Sequence, residues 1–179
     1  MSHISKLPRR RFVASALPAA AWMAVGGGSR MEAAPQKIEG DQMTTLTSYL
    51  LFDGTCHAAM EFYKSCFGGD LSATKVKDSP VKDQMPAAQH EKIIYARLKS
   101  SCIDVSASDW LSPNGSPIRG NTVCLFLSGG TAHELKTLFE KLSDGAEVTT
   151  PLREQFFGLY GALNDKFGVR WMFQTNNKV

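Results

Sequence analysis

Ser48-Tyr49-Leu50-Leu51-Phe52-Asp53-Gly54-Thr55 runs from an apolar strand pattern into a turn and a helix start, and Ala59, Phe62, Tyr63 and Cys66 follow at helical spacing. Thr55 is placed to cap that helix, and Phe67-Gly68-Gly69 ends it. The same punctuation returns at an offset of 76 residues. Gly54-Thr55 corresponds to Gly130-Thr131, Phe62-Tyr63 to Leu138-Phe139, Cys66 to Leu142 and Gly69 to Gly145. Two unrelated amphipathic helices would share an apolar stripe, but not matched glycines at both ends. In the second copy Thr131 and Glu134 also have the spacing of a capping box, in which each side chain satisfies a backbone donor of the other.

Outward from the first helix, Leu71 to Val76 reads as a strand, and Lys77 to His90, with Pro80 and Pro86, as a polar loop. Ile93 to Lys99 and Cys102 to Ala107 read as a hairpin turned at Ser100-Ser101. Ile94-Tyr95-Ala96-Arg97-Leu98 is answered by Leu159-Tyr160-Gly161-Ala162-Leu163 at a shorter offset, as a shorter second loop requires. The expected fold class is α+β: two βαβββ modules, residues 47–109 and 119–175, form a curved mixed sheet around a cleft with the helices outside. One module alone would leave a sheet face and an edge uncovered. Two together create a concave, partly apolar cleft of the kind that holds small ligands.

Charge narrows the partners. Residues 1–42 carry six Lys or Arg against three Asp or Glu, which accounts for the whole net charge of +3, so the rest of the chain is balanced. A nucleic-acid partner is therefore not expected, because displacing counterions from phosphates needs a local cationic excess. Near the N-terminus, Arg9-Arg10-Arg11-Phe12-Val13 precedes an apolar run, Phe12 to Val25, that is too short for a stable membrane anchor. Residues 1–29 resemble a twin-arginine export signal, and residues 30–46 read as a flexible linker. The competing reading is an early start codon, since Met31 and Met43 both precede the first strand. A genuine leader implies a periplasmic or secreted protein, and its absence a cytoplasmic one.

The four cysteines, Cys56, Cys66, Cys102 and Cys124, form no C-x-x-C pair and sit where apolar residues would serve, so reduced, buried thiols are expected. Cys56 alone has an adjacent base, His57, and neighbours on a helix point in different directions. His3 lies in the leader, and His57 and His133 lie near the helix starts. His90, ahead of a strand, is the one histidine positioned to swing into the cleft.

Several separated motifs occur in a familiar order. Tyr49-Leu50-Leu51-Phe52-Asp53-Gly54, Ala59-Met60-Glu61-Phe62-Tyr63, Phe67-Gly68-Gly69, Ile94-Tyr95-Ala96-Arg97-Leu98, Ser108-Asp109 and Asp165-Lys166-Phe167-Gly168-Val169-Arg170-Trp171 resemble the PhnB-like branch of the vicinal oxygen chelate superfamily, which includes glyoxalases, bleomycin resistance proteins and dioxygenases. The resemblance implies paired subunits. It also implies, for the superfamily's enzymes, a divalent metal held by His and Glu on strands of both modules, stabilising charge on vicinal oxygens of a substrate. The strand positions nearest those ligands read Ser48, about Val123, and Met172, none suited to a hard divalent ion. Tyr95 stands where relatives commonly carry His.

No metal or other cofactor is therefore expected. The ligand-binding candidates are Tyr49, Tyr95, Asp109, Trp110, Arg119, Tyr160 and Trp171, which can grip a planar or anionic molecule by stacking and charge-assisted hydrogen bonds. Tyr160 and Trp171 serve equally well as core, Asp109 and Arg119 can pair with each other, and Phe156-Phe157-Gly158 reads as a lip of the cleft. The leading expectation is a small-molecule-binding homodimer, with no reaction legible. The alternative is a glyoxalase- or dioxygenase-like metalloenzyme with ligands elsewhere. Methyl transfer finds no support, because no glycine-rich loop links a strand to a helix as a Rossmann-type site requires.

Overall fold

A computed structural model of the chain describes residues 44–176. The leader and most of the linker lie outside the described residues. Within them, β1 (Ser48–Phe52), α1 (Cys56–Phe67), β2 (Asp70–Lys75), β3 (Ile93–Lys99) and β4 (Asp104–Asp109) form the first module. The second comprises β5 (Leu125–Ser128), α2 (Ala132–Leu142), β6 (Glu147–Gln155), β7 (Gly158–Asn164) and β8 (Arg170–Thr175). The strands form two four-stranded mixed sheets of identical plan, β1-β4-β3-β2 and β5-β8-β7-β6. In each, the first strand lies parallel to the last and the other pairings are antiparallel. The duplicated βαβββ unit read from the glycine punctuation is therefore present in the strand order itself.

Each helix covers one face of its own sheet, and strand alternation decides which side chains meet it. Leu50, Phe52, Ala96, Leu98 and Ala107 turn inward in the first module, as do Leu159, Leu163, Trp171 and Phe173 in the second. The inner face of α1 is Cys56, Ala59, Met60, Tyr63 and Cys66, the stripe expected from helical spacing. The modules share a single core, because α1 reaches across the boundary. Tyr63 and Phe67 pack on Trp171 at ring separations of 5.5 and 5.4 Å, and Phe62 packs on Phe167 at 5.8 Å.

The two helix starts are capped differently. Thr131 and Glu134 make the expected capping box, with Glu134 N donating to Thr131 Oγ1 at 3.1 Å and Thr131 N to Glu134 Oε2 at 2.8 Å. Thr55 precedes α1 but its side chain caps nothing. Its place is taken by Asp109 at the end of β4, whose Oδ1 accepts from Cys56 N at 3.0 Å. A carboxylate at this end of a helix also meets the favourable pole of its dipole.

Three expectations are corrected. The polar loop after β2 contains three short 3₁₀ turns, Val76–Asp78, Lys82–Gln84 and Ala87–Gln89. Cys102 lies in the β3–β4 turn, exposed, because Ser100 Oγ accepts from both Cys102 N and Ile103 N at 3.3 Å and prolongs the turn beyond Ser101. Val123 precedes β5 and is 77% exposed, so at the 76-residue offset the counterpart of Ser48 is Cys124.

Candidate functional site

The faces of the sheets turned away from the helices carry several of the expected residues. Tyr49 (51% exposed), Leu51 and Tyr95 stand on the open face of the first sheet, where Tyr95 Oη is 3.2 Å from Ser106 Oγ. Tyr160 lies on the corresponding face of the second sheet, in register with Gln174 and Arg153, and its ring meets Phe157 at 5.7 Å. Phe156 is exposed at the β6–β7 turn, stacked edge-on against Phe157. Trp110 sits just past β4, its backbone N–H donating to Phe52 O at 2.6 Å and its indole N–H to Asn114 O at 3.4 Å.

Two candidates belong to the frame. Trp171 is 1% exposed and donates through Nε1 to Asp165 Oδ2 at 2.8 Å. Asp109 is 4% exposed, and besides Cys56 N it accepts from Ile93 N at 2.8 Å. Its carboxylate ties the start of α1 to β3, so its oxygens are spent on backbone donors and no ion pair with Arg119 forms.

Arg119 occupies the connection between modules, where two cavities adjoin. One, of about 640 Å3, is lined by residues including Arg119, Asn121, Glu147, Asn164, Lys166 and Arg170. The other, of about 180 Å3, shares Arg119, Gly120, Gly168 and Arg170 with it and adds Leu50, Leu125 and Val169. Leu50 comes from the first sheet and the remainder from the connection and the second module, so this is a seam between the halves. A third cavity, of about 720 Å3, lies between Cys102 at the β3–β4 turn and the start of α2, with Phe126, His133 and Leu138 in its wall.

The seam is built on the buried carboxylate of Asp165, which in sequence is legible only as the first residue of the Asp165 to Trp171 motif. Asp165 Oδ1 accepts from Phe167 N and Val169 N at 2.9 Å each, and Oδ2 accepts from Tyr63 Oη at 2.6 Å as well as from Trp171. These bonds fold residues 165–169 into a tight turn with Gly168 at φ 79°, a conformation that disfavours a side chain. A Cβ on Gly168 would also collide with the Arg119 guanidinium, which lies against the bare glycine. Burial, and next the Asp165 charge, push the Tyr63 phenol far above its usual range, so it stays a proton donor in this network.

Among the described residues, no three His, Cys, Asp or Glu side chains converge as metal ligands would. Ser48, in register with buried Val105, lies on the helix-facing side of its sheet, while Met172 lies on the opposite side of the other, its sulfur 3.0 Å from Cys124 Sγ. His90 Nε2 lies 3.2 Å from the carbonyls of Lys82 and Met85, inside its own loop. Oxygen and nitrogen donors for a hard divalent ion are not assembled by this set.

All four cysteines are free thiols, and Cys56 and Cys66 are buried. Burial, then the Asp109 charge, pushes the Cys56 thiol up to about 12, and burial raises Cys66 as well. The adjacent His57 does not make Cys56 a nucleophile, because the thiolate is the reactive form. Under native conditions near neutral pH, a chromogenic disulfide reagent is expected to modify Cys102 at least about a hundredfold faster than Cys56 or Cys66. Mass mapping of the labelled cysteines checks this.

Four similarities bear on ancestry. The sequence profile of the Glyoxalase/Bleomycin resistance protein/Dioxygenase superfamily matches residues 45–173. Protein YjdN of Escherichia coli (strain K12) is 26% identical over 143 residues, 73% of this chain and 94% of that protein. The structure of protein PA1353 from Pseudomonas aeruginosa superimposes with a TM-score of 0.64 at 32% identity, covering 76% of this chain and 100% of PA1353. The PhnB protein from Bacillus cereus superimposes with a TM-score of 0.60 at 24% identity, covering 74% and 99%. With its twice-built βαβββ unit matched along nearly the whole described length, the chain belongs to the glyoxalase, bleomycin resistance protein and dioxygenase superfamily, and PhnB-like proteins are among its structural relatives.

Proposed function

We propose that this protein binds a small molecule at the seam between its modules, without a conventional divalent-metal site, and works as a homodimer. The observation that carries this reading is the pair of adjoining cavities sharing Arg119, Gly120, Gly168 and Arg170, a concave site of ligand size made by both halves of the fold. Polar groups and charges of both signs line its larger part, and its smaller part adds the aliphatic Leu50, Leu125 and Val169 beside the two arginines, which suits a ligand with one polar end. Pairing of subunits is supported by the half-exposed Tyr49, Leu51, Tyr95 and Phe126 on the open sheet faces, an apolar surface that a second copy would cover.

Among the described residues no helix is long and apolar enough to cross a membrane. The twin-arginine reading of residues 1–29 makes this an exported binding protein, and export of a reporter fused to residues 1–42 that persisted after Arg9 and Arg10 were both changed to Lys would reject it. The binding function is tested by nuclear magnetic resonance against a library of small neutral and charged fragments. The expected result is saturable perturbation of the Gly120, Gly168 and Val169 amides by at least one chemical series. A library whose binders all leave those amides unmoved would place the site elsewhere. Light scattering on the same sample is expected to give the mass of two chains.

A further inference from the structure

We propose that the seam is an oxyanion site in which Arg119 and Arg170 jointly hold a carboxylate or phosphate group of a small molecule, with its apolar body against Leu50, Leu125 and Val169. This rests on the reading of the seam as the ligand site and adds the chemistry of the ligand.

The larger cavity carries charged side chains of both signs. Its cationic wall is Arg119, Lys166 and Arg170, and its acidic wall is Glu147 and Asp165. Lys166 is already committed, with Nζ 2.6 Å from Asp144 Oδ2 and 4.0 Å from the centre of the Phe62 ring. Asp165 is 4% exposed and its two oxygens already accept four hydrogen bonds. Glu147 Oε2 accepts from Asn164 Nδ2 at 3.0 Å. Among the described residues, neither Arg119 nor Arg170 has a carboxylate within ion-pair distance, whereas Arg97 is held by both oxygens of Asp104 at 2.8 and 2.6 Å. Two guanidinium-bearing residues thus line both cavities with no ion-pair partner among the described residues, while the oxygens of Asp165 are filled by neutral donors and Glu147 is hydrogen-bonded through one oxygen to Asn164.

Their placement is also built. Arg119 lies against Gly168, whose positive φ is held by the Asp165 turn, with Gly168 N donating to Asp165 O at 2.8 Å. Arg170 begins β8 directly after that turn and is held in register with Asn164. A planar fork of donors suits an oxyanion, which it can bind through two parallel hydrogen bonds. The smaller cavity continues past the same two arginines onto Leu50, Leu125 and Val169, so the site accepts one charged end and a short aliphatic body.

The test is a titration of the full-length protein at constant ionic strength with inorganic phosphate and, separately, with butyrate, followed by the Gly120 and Gly168 amide resonances. Saturable shifts with at least one anion are expected, and the anion that saturates identifies the group the site takes. Arg119→Ala and Arg170→Ala are each expected to weaken that binding by about tenfold or more, since each removes charge-assisted hydrogen bonds. Arg119→Lys should recover part of the loss. Absence of saturable shifts with both anions, or binding by the two alanine variants at wild-type strength, overturns the proposal. Neutral fragments that still bind at the seam in those cases would leave its role as a ligand site standing, and only the charge assignment would fall.

Discussion

Replacing Asp165 with alanine is expected to lower the free energy of unfolding by about 3–5 kcal/mol, at the upper end for single substitutions, because it strands several buried donors at once. The carboxylate accepts from Tyr63 Oη, Trp171 Nε1, Phe167 N and Val169 N, and no second acid among the described residues shares those donors. Water cannot readily replace it, since Trp171 and Tyr63 are each about 1% exposed. Tyr63→Phe removes one donor and leaves the other three satisfied, so a smaller loss of about 1–2 kcal/mol is expected. Urea denaturation of the two single variants and the double variant checks both values. If the pair acts as one unit, the double variant should be more stable than the sum of the single losses allows, by about 0.5–3 kcal/mol. The consequence extends to the seam, because the turn Asp165 holds also seats Arg119 on Gly168.

Asp109→Ala is the second large effect, expected at about 2–4 kcal/mol by the same measurement. Asp109 combines a helix cap with a cross-link: Oδ1 holds the first N–H of α1 and Oδ2 the first N–H of β3. Neither donor has water at hand, since Cys56 and Ile93 are buried. Asp109→Asn keeps one acceptor oxygen and should lose roughly half as much. Equal losses for the two variants would show that the charge at the helix start, rather than the pair of acceptors, carries the effect.

How much of this was legible in sequence followed the distance between partners. Gly54-Thr55 and Gly130-Thr131 announce their turns and helices locally, and they disclosed the duplicated fold without any tertiary information. The capping box of α2 was readable for the same reason, since its partners are three residues apart. The cap of α1 was not, because Asp109 lies 53 residues from Cys56, and Thr55 looked sufficient. Cys102 reads as a strand residue in sequence because the Ser100 hydroxyl, which draws in the Cys102 and Ile103 backbone donors, has no signature beyond being a serine.

The candidate site was legible in part for a related reason. Tyr49, Tyr95, Tyr160 and Arg119 are candidates in sequence by residue type and by lying on strands or beside the linker, whereas the face each tyrosine occupies is given by the folded strands. Trp171 looks the same in sequence whether it faces a ligand or Tyr63, and the choice is made by Asp165, 102 residues from Tyr63. Arg170 passed unremarked inside the Asp165 to Trp171 motif. Only the fold shows that it and Arg119 line one seam with no carboxylate within ion-pair distance among the described residues.

The proposed absence of a conventional divalent-metal site within the superfamily's architecture is tested most directly by metal stoichiometry. Purified protein would be exposed to zinc, nickel, manganese or iron(II), freed of unbound ion, and analysed for bound metal per chain. Well below one equivalent of each is expected. One tightly bound equivalent that disappears on His90→Ala would contradict this and restore a metal-dependent reading of the fold.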